Sequence, residues 1–229
     1  MANTMNASQS RPAKLLNELE SKKILKQAGL NVTVPLLAKS RPEAVLIAES
    51  LGYPVVLKVV SSDIIHKSDA GGVAVGLKYA ESVYQAYSQM MDTLRKKFPQ
   101  AVIDGISVQP QAPPGVEVLI GMTRDPQFGP VIMFGLGGIW VEILKDTSLR
   151  IAPLCAEDAS EMICELKAYK LLQGYRGQAG VDIETLKDWL LKVSDLAMKN
   201  PGIKELDINP VFAYPDGAMA VDARIIIEE

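Results

Sequence analysis

Histidine is almost missing from this chain: among its 229 residues there is one, His66. Cysteine is nearly as scarce, with only Cys155 and Cys164. That inventory excludes a Cys/His zinc set and a disulfide framework, and leaves the two thiols as ordinary reduced core or surface groups. Neither sign of charge dominates, since 24 Lys and Arg stand against 27 Asp and Glu for a net charge of −3. No positive field is available to gather nucleic acid or anionic lipid. Long apolar runs are absent too, and nothing approaches the roughly 18 consecutive apolar residues of a membrane span. The opening stretch "MANTMNASQSRPAK" has no apolar region of the kind a secretory signal carries. These absences lead us to expect a soluble, cytoplasmic protein with no nucleic-acid and no membrane partner.

What is present suits a globular chain. Apolar residues make up 48% and charged residues 22%, enough for a sizeable core in one domain or two small lobes. Residues 1–13 read as a disordered polar tail and residues 14–229 as the folded part. "KLLNELESKKILKQAG" has helical apolar spacing and stops at Gly29. "RPEAVLIAESLG" carries Pro42 in its first turn and stops at Gly52. "NVTVPLLA" reads as a short extended piece, "YPVVLKVV" as a buried β-branched strand, and "VAVGL" as the next strand. "SVYQAYSQMMDTLRKKF" predicts an amphipathic helix; "DGISVQP", "GVEVLIGMTRD" and "PVIMFG" predict three strands. "AEDASEMICELKAYKLLQ" and "DIETLKDWLLKVSDLAMK" predict two further helices, and "IKELDINPVFAY", "PDG", "AMAVDARIII" predict a closing hairpin. Strands broken by single helices without strict alternation predict an α+β fold rather than a doubly wound sheet.

Five features could carry chemistry. Lys58 interrupts "PVVLKVV", so its ammonium either snorkels to water from an exposed face or meets an anion. "DINP" puts Asp207 and Asn209 on one face of a strand, and the antiparallel return through "VDAR" brings Asp222 back beside them. Such oxygen donors suit Mg²⁺, which keeps waters and binds phosphates, although an ordinary polar hairpin gives the same pattern. Glu117 in "GVEVLIG" has the same two readings. The glycine stretches "FGLGGI" and "GYRGQAG" match neither the dinucleotide fingerprint nor the P-loop, yet either could offer backbone N–H groups to phosphate. His66 sits in "SSDIIHKSDAGGV", and a lone loop histidine is more often a solvated bystander than a catalyst.

Taken together, "GYPVVLKVVSSDIIHKSDAGGV", "FGPVIMFGLGGIWVEILKD", "ELDINPV" and "VDARI", in this order, resemble the ATP-grasp β-subunit of ADP-forming acetyl-CoA and acyl-CoA synthetases. That group is related to the succinyl-CoA synthetase β-chain, and the resemblance covers residues 14 to 227. It implies two α+β lobes around a nucleotide cleft. By the same resemblance Lys58 contacts nucleotide phosphates, Gln109 and Glu117 line the adenine and ribose, and Asn209 and Asp222 hold Mg²⁺. His66 becomes the phosphorylated histidine of the acyl-CoA branch. Its imidazole is nucleophilic near neutrality, Lys67 beside it can steady added negative charge, and Gly71 and Gly72 let its loop swing. The implied reaction is acyl-CoA + ADP + phosphate ⇌ acid + ATP + CoA. The implied partner is an α-subunit carrying the CoA-binding and acyl-phosphate chemistry, in an α2β2 assembly. Two other readings stay open at this stage: a free-standing ATP-grasp carboxylate ligase, and a non-catalytic nucleotide-binding regulatory subunit.

Overall fold

The computed structural model describes residues 13–64, 66–138, 145–174, 177 and 179–228. The tail expected over residues 1–13 lies outside them except for Ala13, which begins a strand. Two antiparallel sheets organise the chain. The smaller has the order β2 (Leu36–Ala38), β5 (Gly105–Pro110), β3 (Val55–Val60), β4 (Val73–Leu77). The larger runs β1 (Ala13–Leu15), β11 (Arg224–Glu228), β9 (Ile203–Tyr214), β6 (Val116–Asp125), β7 (Gly129–Leu136), β8 (Thr147–Ile151), with β10 (Gly217–Ala220) also paired to β9. The helices are α1 (Glu18–Gln27), α2 (Arg41–Leu51), α3 (Lys67–Ala70), α4 (Ala80–Lys97), α5 (Ala156–Cys164), α6 (Tyr169–Leu172) and α7 (Ile183–Lys199). This is the expected α+β class.

Each sheet has its own core. Val55, Leu57 and Val59 point to one side of β3 and pack with Ala44, Ala48, Val83, Met90 and Leu94 of α2 and α4. Ile120, Phe134, Leu206 and Ile208 of the larger sheet pack with Met162, Leu186, Trp189 and Val193 of α5 and α7. Strand periodicity then decides what faces the other way. On β3 the alternate residues Val56, Lys58 and Val60 point away from the helices; on β9 Asp207 and Asn209 do the same. The chemistry-bearing residues of both sheets are thereby turned from their cores.

Helix ends follow local chemistry. Asn17 caps α1 in a reciprocal capping box with Glu20, and Gly29 (φ 82°) ends it. Ser40 caps α2, and Gly52 (φ 81°) closes it. Three sequence readings are revised. The expected first helix begins at Glu18, after a short strand that pairs with β11. The expected helix over "AEDASEMICELKAYKLLQ" is two helices, because the buried Asp146 carboxylate accepts from the N–H groups of Lys167 and Ala168, both at 2.9 Å. The return strand of the last hairpin is split into β10 and β11.

Candidate active site

That split has a cause in Pro210. Val221 N–H donates to Pro210 C=O at 3.0 Å, but Pro210 has no N–H with which to complete the pair. The Val221 carbonyl instead accepts from Lys58 Nζ at 3.0 Å and from Gln109 Nε2 at 3.5 Å. A proline in the larger sheet thus leaves a backbone acceptor for two side chains of the smaller one. The pairings Ala220–Val211 and Arg224–Asp207 flank this gap, and the same register sets Asp222 opposite Asn209.

Lys58 does not snorkel. It is 5% exposed and bonds Glu18 Oε1 at 2.9 Å, with Asp222 Oδ2 at 3.4 Å. Glu18, 4% exposed in the first turn of α1, is the hub. Its Oε1 also accepts from Lys22 at 2.7 Å, and its Oε2 from Lys67 at 2.7 Å. Lys22 extends the network to Thr33 at 2.8 Å and to Gln109 Oε1 at 2.7 Å. Burial alone would raise the Glu18 carboxyl, but Lys58, Lys22 and Lys67 together hold it far below the usual carboxylate range. Burial lowers the Lys22 ammonium to about 8 against the opposing pull of Glu18. For Lys67 the balance reverses: burial would lower it, but Glu18 and Asp222 raise it. Three ammonium groups therefore face two carboxylates, Glu18 and Asp222, leaving one positive charge in surplus. Such a surplus in partly dehydrated surroundings is a standing attraction for an anion.

Beside this network opens a cavity of about 510 Å³, within the usual range for a small-molecule site. His66, Lys67, Ser68 and Asp69 form part of its wall, and Asp207, Asn209, Asp222 and Arg224 form another. His66 is exposed, at the start of α3. Desolvation raises the Asp207 carboxyl, Arg224 opposes that, and Asp222 reinforces it. Among the described residues no cluster of three or more Asp, Glu, His or Cys could cage a metal by itself. The oxygen donors Asn209 and Asp222 instead fit Mg²⁺ of the kind that completes its shell with water and substrate phosphate.

Of the residues singled out from sequence, His66, Asn209 and Asp222 share this cavity, and Lys58 reaches it through Asp222. Gln109 is fully buried behind Lys22, not on the cavity wall. Glu117 is exposed on β6, its backbone carbonyl accepting from Gly137 at 2.6 Å. Its carboxylate lies where a Cβ on Gly138 would come within 2.8 Å of Oε2. Ile139 of "FGLGGI", and Tyr175, Arg176 and Gln178 of "GYRGQAG", lie outside the described residues. Gly71 (φ 80°) ends α3 in a left-handed conformation. Gly72 packs so closely that a Cβ would stand 2.5 Å from Val59 Cγ1, and it bonds Lys67 C=O at 2.7 Å. The pair ties down the end of the His66 segment.

A model of the ATP-grasp domain matches residues 7–227. The chain belongs to the ATP-grasp family. Within it, the chain groups with the β-subunits of ADP-forming acetate–CoA ligases. It is 52% identical over 212 residues to the β-subunit of ADP-forming acetate–CoA ligase I of Pyrococcus furiosus, covering 93% of this chain and 91% of that one. A solved structure of Ca. Korarchaeum cryptofilum acetyl-coenzyme A synthetase 1, in complex with coenzyme A, Ca-AMPCP and HgCl+, superposes with a TM-score of 0.92 at 51% identity and covers 94% of each chain. Another structure of that enzyme, with coenzyme A and Mg-AMPPCP, is described as having its phosphohistidine segment pointing towards the nucleotide-binding site. It superposes with a TM-score of 0.82 at 47% identity, covering 94% of this chain and 93% of that one. Among the described residues no helix is long and apolar enough to cross a membrane.

Sequence reasoning overlooked Glu18. "ELESK" offers Glu18 and Lys22 at i and i+4, a spacing that ordinarily marks a solvated surface pair. Its only distinguishing signal was position, in the first turn of α1.

Proposed function

We propose that this chain is the β-subunit of an ADP-forming acyl-CoA synthetase, an acid–thiol ligase that passes a phosphoryl group between His66 and ADP. The observation that carries this reading is one cavity with His66 on one wall and Asn209 and Asp222 on another, backed by buried lysines with positive charge to spare. Mg²⁺ bound by Asn209 and Asp222 would neutralise phosphate charge there. In the synthetic direction a partner α-subunit converts acyl-CoA and phosphate to acyl phosphate and free CoA, then releases the carboxylic acid as it passes the phosphoryl group on to His66. A terminal oxygen of ADP then forms the new P–O bond as the N–P bond of phosphohistidine breaks. The ring nitrogen keeps the bonding electron pair and takes up one proton. Transfer of this kind needs alignment and charge neutralisation more than covalent help from the protein, and Lys58 supplies both beside Asp222.

The nucleoside is assigned to the side of Glu117, with Gln109 holding Lys22 behind the phosphates. The assembly is assigned as α2β2 and the compartment as the cytoplasm. Within this reading, acyl-group selection belongs to the α-subunit. The test is purification of the native complex followed by assay of ATP formation from acyl-CoA, ADP and phosphate. Activity that requires both subunits supports the proposal. Ligase activity from this chain alone, with an amine or thiol acceptor, would replace it.

A further inference from the structure

We infer that the buried carboxylate of Glu18 is a docking latch for the His66 segment, gripping Lys67 so that His66 stays at the cavity wall until that ion pair opens. The inference rests on the phosphohistidine reading above and adds a positioning residue to it. Glu18 divides its two oxygens unequally: Oε1 serves Lys22 and Lys58, while Oε2 serves Lys67 at 2.7 Å. Lys22 and Lys58 have other close partners, in Thr33 and Gln109 for the first and the Val221 carbonyl for the second. Among the described residues Lys67 pairs, besides Glu18, only with the more distant Asp222 at 3.8 Å.

Ile64 and Ala70 anchor the segment in the smaller core, and among the described residues its other hydrogen bonds to the rest of the chain lie nearer its ends. Upstream, the Asp63 carboxylate accepts from Val102 N–H at 2.7 Å, and the Ser61 hydroxyl donates to Val102 C=O at 2.6 Å. Downstream, Val59 N–H donates to Gly72 C=O at 2.8 Å, and Lys97 reaches the Asp69 and Ala70 carbonyls at 3.4 Å. Among the described residues the Lys67–Glu18 pair is thus the shorter of the two ion pairs next to His66, and it joins α3 to α1 across 49 positions of chain. A segment pinned at both ends and latched in the middle can present His66 to the nucleotide. Opening the latch frees the middle to turn towards a second site while the ends stay attached.

The test uses the native complex carrying Lys67→Gln, with Lys67→Arg as the conservative rescue. Two half-reactions are followed by rapid quench with radiolabelled phosphate: transfer from phosphorylated His66 to Mg·ADP, and phosphorylation of His66 from acyl-CoA and phosphate. Misplacing a reacting group by about 1 Å can cost on the order of 100-fold, so Lys67→Gln should slow the first half-reaction about 10–100-fold. The second should stay within about twofold, and Mg·ADP affinity should fall by far less than the first rate, because on this account Lys67 lends the nucleotide only a share of the surplus charge but fixes the place of His66. Lys67→Arg should restore most of the lost rate. Amide hydrogen exchange across residues 61–72 should quicken in Lys67→Gln with the rest of the chain unchanged. Equal slowing of both half-reactions, a matching loss of Mg·ADP affinity, or unchanged exchange in that segment would overturn the latch. Failure of wild-type His66 to label would overturn the relay, and hydrogen exchange would then decide the latch by itself.

Discussion

Lys58, Asn209 and Asp222 show how far a residue's neighbours constrain its use. Asn209→Ala and Asp222→Ala should each weaken Mg·ADP binding about 10–100-fold, the usual cost of losing a metal ligand or its orienting neighbour, while the fold persists. Calorimetric titration checks this, and wild-type affinity in both variants would make the hairpin purely structural. Lys58→Ala should cut turnover more than Lys58→Arg, though a guanidinium does not reproduce a point charge on a crowded strand. Steady-state kinetics of the complex would show whether Lys58 serves only Glu18, in which case turnover would not change.

Lys22 carries a pH prediction. Its folded value of about 8 lies below the roughly 10.4 of an unfolded lysine. Between those values the unfolded chain holds more protons at this site, so the Lys22 contribution to stability rises with pH there. Glu18 acts with the same sign at acid pH. Its depressed carboxyl contributes fully above its unfolded value near 4.3 and loses that contribution as pH falls towards its folded value. Side-chain nitrogen NMR should find Lys22 titrating well before the surface lysines. Titration of Lys22 together with them would contradict the claim that burial outweighs Glu18.

At the scale of elements, the α3 segment is more tightly built than its double glycine suggests. "DAGG" reads as a hinge, yet Gly71 is the left-handed end of α3 and Gly72 lies flat against Val59. Gly72→Ala should therefore destabilise the protein by about 1–3 kcal/mol through overpacking. Denaturant unfolding measures this, and unchanged stability would show that Val59 yields freely. Most elements were legible because their signals are local: β-branched runs, Gly29 and Gly52 as stops, and the "PDG" turn. The register of the last hairpin was legible to within a residue, since a short turn counted outward brings Asp222 near Asn209 or its neighbours, and the structure sets the two opposite. What stayed hidden depends on distant partners. The break between α5 and α6 is made by Asp146, about twenty residues upstream. The gap between β10 and β11 follows from Pro210 on the neighbouring strand.

For the whole molecule, two sheets turn their helix-covered faces apart and their polar faces towards one ion network. The sequence made Lys58 conspicuous because it interrupts an apolar run, and His66 conspicuous because it is alone. It could not make Glu18 conspicuous, since burial of that carboxylate arises only when α1, β3 and α3 meet. The central claim is that His66 carries the phosphoryl group between the partner's chemistry and ADP. The most direct measurement supplies the native complex with acyl-CoA and radiolabelled phosphate, then adds Mg·ADP, for wild type and His66→Ala. The account predicts an acid-labile, alkali-stable label on His66 that chases into ATP, and a variant that binds Mg·ADP normally but makes no ATP. Wild-type rates of ATP formation in His66→Ala would contradict it and leave transfer to ADP directly from the α-subunit.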